Sequence, residues 1–128
     1  MHVSELFSLK DKVILITGGE GKYGRCMTEA LAEAGGTVIT ASPFLEEGQK
    51  VAKDFQTKGL NVVAGYVDMG DHESVVTLKN KIKDQHGKLN VLVNCAVARP
   101  MKTYTSPLED WETSMKINAT GLFDITRE

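Results

Sequence analysis

Lys12 to Gly24, KVILITGGEGKYG, decides the fold. Its first half, Lys12 to Thr17, is a β-branched run that is apolar at successive positions. This pattern fits a strand covered on both faces, as in a parallel sheet between helix layers. Gly18-Gly19 closes the run. From Lys22 to Ala34 the residues Met27, Ala30, Leu31 and Ala34 recur at helical spacing, and Gly35-Gly36 supplies a left-handed helix stop. The segment therefore reads as strand, tight turn and helix in immediate succession.

The same alternation continues down the chain. Thr37 to Ala41 is a second strand, and Leu45 to Lys58 a helix whose inner face is Leu45, Val51, Ala52 and Phe55, ended by Gly59. Leu60 to Val67 is a third strand. Asp71 is placed to cap a helix that carries Val75, Leu78 and Ile82 inward and Lys79, Lys81 and Lys83 outward, until His86-Gly87 ends it. Leu89 to Ala98 is the fourth strand. Ser106-Pro107-Leu108-Glu109 reads as a capping box with proline at the first helical position, and Leu108, Trp111 and Met115 form the expected buried face. That helix is expected to bend between Asn118 and Gly121. Four strand–helix alternations with right-handed crossovers give an α/β fold with a doubly wound parallel sheet, and with the Rossmann-type order its strands run 3-2-1-4. This order leaves the apolar fourth strand at an edge, where a fifth strand is expected to cover it.

Composition sets the outer limits. The chain has 128 residues, 41% hydrophobic and 25% charged, which suits one globular domain spanning residues 1–128. Fifteen Lys and Arg against 17 Asp and Glu give a net charge of −2, without the basic field that draws a protein to nucleic acid. Cys26 and Cys95 stand in apolar surroundings with neither CxxC spacing nor nearby histidines, so buried, reduced thiols are expected rather than a disulfide or a metal site. No signal-peptide core or 18-residue apolar run is present, and a cytoplasmic protein with no membrane partner is expected.

The turn itself carries the chemistry. Gly18-x-x-Gly21-x-x-Gly24 sits where a strand passes into a helix. Gly18 permits the tight turn, Gly21 lets the backbone approach a pyrophosphate, and Gly24 lets the helix pack close to the strand. The helix N-terminus adds free N–H groups and partial positive charge. A dinucleotide is the ligand this arrangement fits. Gly21-Lys22 does not make a nucleoside-triphosphate loop, because Ile16 and Tyr23 occupy positions where that motif needs glycine and Ser or Thr. Thr17-Gly18-Gly19 likewise lacks the carboxylates of a phosphoacceptor receiver.

Taken together, these motifs resemble the short-chain dehydrogenase/reductase family over essentially the whole chain. The glycine turn is similar to that family's Thr-Gly signature, closer to TGxxGxxG than to TGxxxGxG, with Lys22 at the second glycine of the latter form. Asp68, in Val67-Asp68-Met69, matches the aspartate that bonds the adenine amino group. From the residues alone, Asp68 reads equally well as a turn former. Asn94-Cys95-Ala96-Val97 resembles the family's Asn-Asn-Ala-Gly segment beside the cofactor ribose and departs from it at Cys95 and Val97. Trp111 to Gly121, WETSMKINATG, matches the stretch leading to the catalytic asparagine, which makes Asn118 its counterpart. In the family that asparagine kinks a helix, and its carbonyl holds a water in the proton relay.

The resemblance implies an oxidoreductase that moves a hydride between nicotinamide and an alcohol or ketone substrate, using NAD or NADP. The implied coenzyme contacts are Gly18, Gly21, Lys22, Tyr23, Gly24, Ser42, Asp68, Met69, Asn94 and Ala96. Ser42-Pro43 at the end of the second strand carries no charge that would choose between the two coenzymes. The family's tyrosine general acid is followed four residues later by lysine, whereas Tyr23, Tyr66 and Tyr104 are followed by Met27, Gly70 and Leu108. The chain is therefore expected to be the N-terminal part of a longer reductase, inactive by itself, whose parent forms a homo-oligomer. The alternative is a non-catalytic module for dinucleotide binding or protein interaction.

Overall fold

The computed structural model describes residues 1–128. A four-residue helix α1 (Val3–Leu6) precedes β1 (Val13–Thr17), α2 (Lys22–Glu33), β2 (Thr37–Ser42) and α3 (Leu45–Thr57). Then follow β3 (Val62–Tyr66), α4 (His72–His86), β4 (Val91–Asn94), α5 (Leu108–Met115), a π-helical turn (Lys116–Thr120) and α6 (Gly121–Arg127). All strand pairings are parallel, and the order is β3-β2-β1-β4. The anticipated doubly wound, partial Rossmann sheet is what forms. No helix is long and apolar enough to cross a membrane.

Every residue of β1 is buried, as its unbroken apolar run requires. Alternate side chains enter opposite layers. Ile14, Ile16, Val38 and Val62 pack with Ala32 of α2 and with Val51, Ala52 and Phe55 of α3. On the other face, Val13, Leu15, Ile39 and Ala41 pack with Val75, Leu78 and Ile82 of α4 and Ile125 of α6. Asp71 caps α4 by accepting from the Glu73 N–H at 3.1 Å, and Gly87 ends it with a left-handed φ of 73°. Both were anticipated from sequence.

Several local readings are corrected. The buried stripe of α2 is Gly24, Thr28 and Ala32, while Met27, Leu31 and Ala34 are half-buried and Ala30 is exposed. The helix lies so close to the sheet that small residues occupy the contact line. Strand β3 starts two residues later than expected and ends one earlier. Strand β4 keeps only four residues, because beyond Asn94 the backbone N–H groups of Cys95 and Ala96 turn to the Thr17 hydroxyl at 3.2 and 3.1 Å. The capping box at Ser106 does not form. Its hydroxyl accepts instead from the N–H groups of Lys102 and Thr103, at 3.0 and 3.1 Å, and Pro107 is the cap residue rather than the first helical one. The expected buried face of α5 is open: Leu108, Trp111 and Met115 are 67%, 50% and 44% exposed. Cys26 is exposed on α2 and Cys95 is half-buried, so neither is the buried core thiol expected.

The anticipated bend near Asn118 is the π-helical turn, whose signature is the i→i−5 hydrogen bond from Gly121 N–H to the Lys116 carbonyl. The Asn118 side chain pairs with one residue as a second backbone would. Its Oδ1 accepts from the Ala98 N–H at 2.7 Å, and its Nδ2 donates to the Ala98 carbonyl at 2.7 Å and to Ser114 Oγ at 3.2 Å. Gly121 then meets the Met69 backbone so closely that no Cβ fits. Helix α6 is further tied to α4 by His72 on Asp124 at 2.8 Å and by Lys79 on Glu128 at 2.6 Å.

Replacing Asn118 by Ala should lower stability by about 1–3 kcal/mol in urea unfolding, since it leaves the Ala98 amide and carbonyl without their partners. The hydrogen bond that His72 donates to Asp124 raises His72 above its usual 6.5, and the same bond lowers Asp124 below its usual 3.8. A raised histidine contributes stability in full below 6.5 and loses it as pH climbs through the raised value. A lowered aspartate contributes above its usual value and fails as pH falls through the lowered one. The melting temperature should therefore decline as pH rises from 6 to 8, and His72→Gln should flatten that decline.

Candidate functional site

The C-terminal ends of parallel strands, with the N-termini of the following helices, are where this architecture binds ligands. Here that edge is built from the turn after β1. Gly18 adopts φ 70°, a conformation that side chains resist, and a Cβ on it would press on Ala96 at 3.1 Å. Gly24 passes the Gly18 carbonyl with no room for a Cβ at all. Between them Gly19 is wedged against the hydroxyls of Thr28 and Thr40, and Thr28 donates to the Gly19 carbonyl at 3.2 Å. Gly21 caps α2 without a side-chain hydrogen bond, so the first N–H groups of that helix have no side-chain partner.

A cleft of about 740 Å³ opens in front of this helix end. Of the anticipated coenzyme contacts, Gly18, Gly21, Lys22, Tyr23, Gly24, Asn94 and Ala96 line it, with Tyr23 83% exposed at its mouth. Ser42, Asp68, Met69 and Asn118 lie outside it, on the same edge of the sheet. Ser42 is buried at the end of β2 and its hydroxyl accepts from the Phe44 N–H at 3.0 Å. Asp68 follows β3. Its Oδ1 accepts from the Gly70 N–H at 2.8 Å, the turn-forming role, while its Oδ2 makes no hydrogen bond within the chain. Met69 is buried under α6. Asn94 is exposed and donates to Thr126 Oγ1 at 3.2 Å, joining the end of β4 to α6. A smaller apolar hollow of about 260 Å³ lies between α4 and the start of β4, away from the glycine turn.

Three contributors, Thr17, Thr28 and Glu20, were not picked out by sequence. Fully buried Thr17 gathers the backbone of β4 onto β1, and buried Thr28 holds the glycine turn. Both look like ordinary strand and helix residues in sequence. Glu20 and Arg99 line the cleft. In sequence Glu20 reads as a spacer between glycines; in the fold its carboxylate accepts from Thr40 Oγ1 at 3.5 Å. Cys95 also lines the cleft, and partial burial, then the Glu20 charge, raise its thiol above the usual value.

A small dinucleotide meets what it needs here: a backbone without side chains at its narrowest point, a helix N-terminus and a cleft of ligand size. The only His, Asp and Glu side chains near enough to share a metal ion are His72, Asp124 and Glu128, where His72 already pairs with Asp124, Lys79 with Glu128, and Arg127 with both carboxylates.

Comparison with known proteins agrees with this geometry. The model of the short chain dehydrogenase family matches residues 12–128. The chain is 35% identical over 126 residues to the 3-hydroxyacyl-CoA dehydrogenase type-2 of Drosophila melanogaster, covering 93% of this chain and 48% of that protein. It is 32% identical over 121 residues to a 3-oxoacyl-[acyl-carrier-protein] reductase of Aquifex aeolicus, covering 93% and 49%. Among solved structures, a gluconate 5-dehydrogenase from Burkholderia cenocepacia in complex with NADP and tartrate superimposes with a TM-score of 0.87 at 25% identity, covering 98% of this chain and 50% of that one. The chain spans about half the length of the curated relatives it matches. A match over nearly the whole chain, on the strand order and glycine turn described above, makes this protein a member of the short-chain dehydrogenase family.

Proposed function

We propose that this chain is the coenzyme-binding part of an oxidoreductase that uses NAD or NADP to interconvert an alcohol and a ketone. The carrying observation is the glycine turn, where Gly18, Gly21 and Gly24 leave the N-terminus of α2 open to a cleft of dinucleotide size. In this reading Gly21, Lys22, Tyr23 and Gly24 receive the pyrophosphate on helix N–H groups. Ser42 lies by the adenosine ribose, and Asp68 with Met69 by the adenine, through the carboxylate oxygen that the turn leaves free. Asn94 and Ala96 border the nicotinamide ribose. The coenzyme supplies a hydride acceptor or donor when bound.

What this chain adds is position. The Asn118 side chain is occupied by Ala98, so its backbone carbonyl, in the widened π-turn, is the group that serves a proton relay. No tyrosine here has a lysine four residues on, so the general acid–base pair of the reading is contributed by residues other than these 128. The open face of α5 and α6, with Trp111, Met115 and Phe123, suits a second copy of the protein as its cover.

NADH and NADPH titrated into the folded chain should each give saturable enhancement of nicotinamide fluorescence, or one of them should. Gly21→Trp should abolish it without unfolding the protein, because a Cβ at Gly21 meets only the Gly18 carbonyl, at 3.4 Å, while an indole fills the cleft. A folded wild-type chain that binds neither coenzyme refutes the reading. Sedimentation velocity should show self-association that Trp111→Glu reduces; a wild-type monomer at high concentration removes the homo-oligomer from the proposal.

A further inference from the structure

The end of β2 carries no acidic side chain. In dinucleotide-binding folds an Asp or Glu past the second strand bonds the ribose 2′-hydroxyl, and a basic residue there accepts a 2′-phosphate. Here β2 ends in Ser42-Pro43, and the Ser42 hydroxyl is already bonded to the Phe44 N–H. The carboxylate that stands over β2 is that of Glu20, delivered from the glycine turn. We infer that Glu20 selects NAD(H) over NADP(H), its carboxylate standing where β2's own acid would meet the ribose and repelling a 2′-phosphate. This inference rests on the dinucleotide reading above.

Three observations place that charge. Gly19 is wedged against Thr28 and Thr40, so the next residue has to rise over the end of β2. Half-buried Glu20 then reaches Thr40 Oγ1 at 3.5 Å, and Thr40 and Ser42 project from the same face of β2. No Lys or Arg forms a salt bridge with Glu20, though Lys22 and Arg99 line the same cleft, and its charge is felt as far as the Cys95 thiol. The neighbouring cation of α2 is spent elsewhere: Arg25 pairs with Asp54 at 2.9 Å and lies over the Phe55 ring. Lys22 lines the cleft unpaired, but it begins α2, where the pyrophosphate common to both coenzymes belongs, so it strengthens both alike. A 2′-phosphate adds one and a half to two negative charges, on the order of those of any phosphomonoester near neutral pH.

The test is the ratio of NADPH to NADH dissociation constants, from nicotinamide fluorescence, for the wild-type chain, Glu20→Gln and Glu20→Lys, each checked for folding by circular dichroism. The shared pyrophosphate cancels in that ratio. Wild type should bind NADH roughly tenfold tighter, Glu20→Gln should bring the ratio within about threefold of unity, and Glu20→Lys should reverse it. Wild-type preference for NADPH, or a ratio unchanged in a folded Glu20→Gln, overturns the inference while leaving dinucleotide binding intact. Failure of the folded wild type to bind either coenzyme overturns both.

Discussion

The passage of Gly24 beneath the Gly18 carbonyl is the constraint on which the rest of the upper edge depends. A helix can follow a strand this closely only where no Cβ intervenes, and that closeness aims the start of α2 along the sheet's C-terminal edge. Thr28, one helical turn on, closes the turn from above through the Gly19 carbonyl. Thr17, the last residue of β1, uses one hydroxyl to receive two backbone N–H groups from the end of β4. The cleft therefore has walls from α2 and β4 that are both referred to the same two residues of β1 and its turn. A site assembled this way is fixed at its glycine-lined base and leaves exposed side chains such as Tyr23 at its mouth.

The sheet was legible in the sequence because each strand is a short apolar run bounded by glycine or a capping residue, and each helix between them shows its period. The cleft was legible in part. Gly18 and Gly24 announce themselves because only glycine satisfies their steric demands, Gly21 by its place in the glycine spacing, and Asn94 and Ala96 by the resemblance of their segment to the family's. Thr17, Thr28 and Glu20 do not announce themselves. Their roles arise when β1, β2 and α2 converge, and nothing in a local pattern distinguishes a threonine that closes a turn from one that fills a strand. Asp68 takes the turn-forming reading with one oxygen, which accepts from Gly70, while the other makes no hydrogen bond within the chain.

Hydropathy misled where it counted only size. In α2 the contact line is Gly24, Thr28 and Ala32, since a helix drawn tight against a sheet excludes the larger residues that ordinarily mark an inner face. Ser106 failed as a cap because its hydroxyl was already committed to the backbone of Lys102 and Thr103. At α2 a tertiary contact outweighed the local pattern, and at Ser106 a competing bond to residues three and four positions back outweighed a cap preference worth about 1 kcal/mol.

The error at α5 has a different origin, and it lies in the π-helical turn. In an unbroken α-helix, Trp111, Met115, Asn118, Leu122 and Ile125 would form one stripe, because steps of three and four residues keep to one side. The turn from Lys116 to Thr120 holds one residue more than an α-turn and so offsets everything after it by about 100° about the axis. Ile125 is thereby rotated into the core while Trp111 and Met115 stay outside. The extra residue acts as a phase shifter, splitting one sequence-encoded stripe into an inward half that completes the domain and an outward half that is free of it. Shortening the turn by one residue would realign the two halves, and the helix could then satisfy either the core or its outer face, but not both.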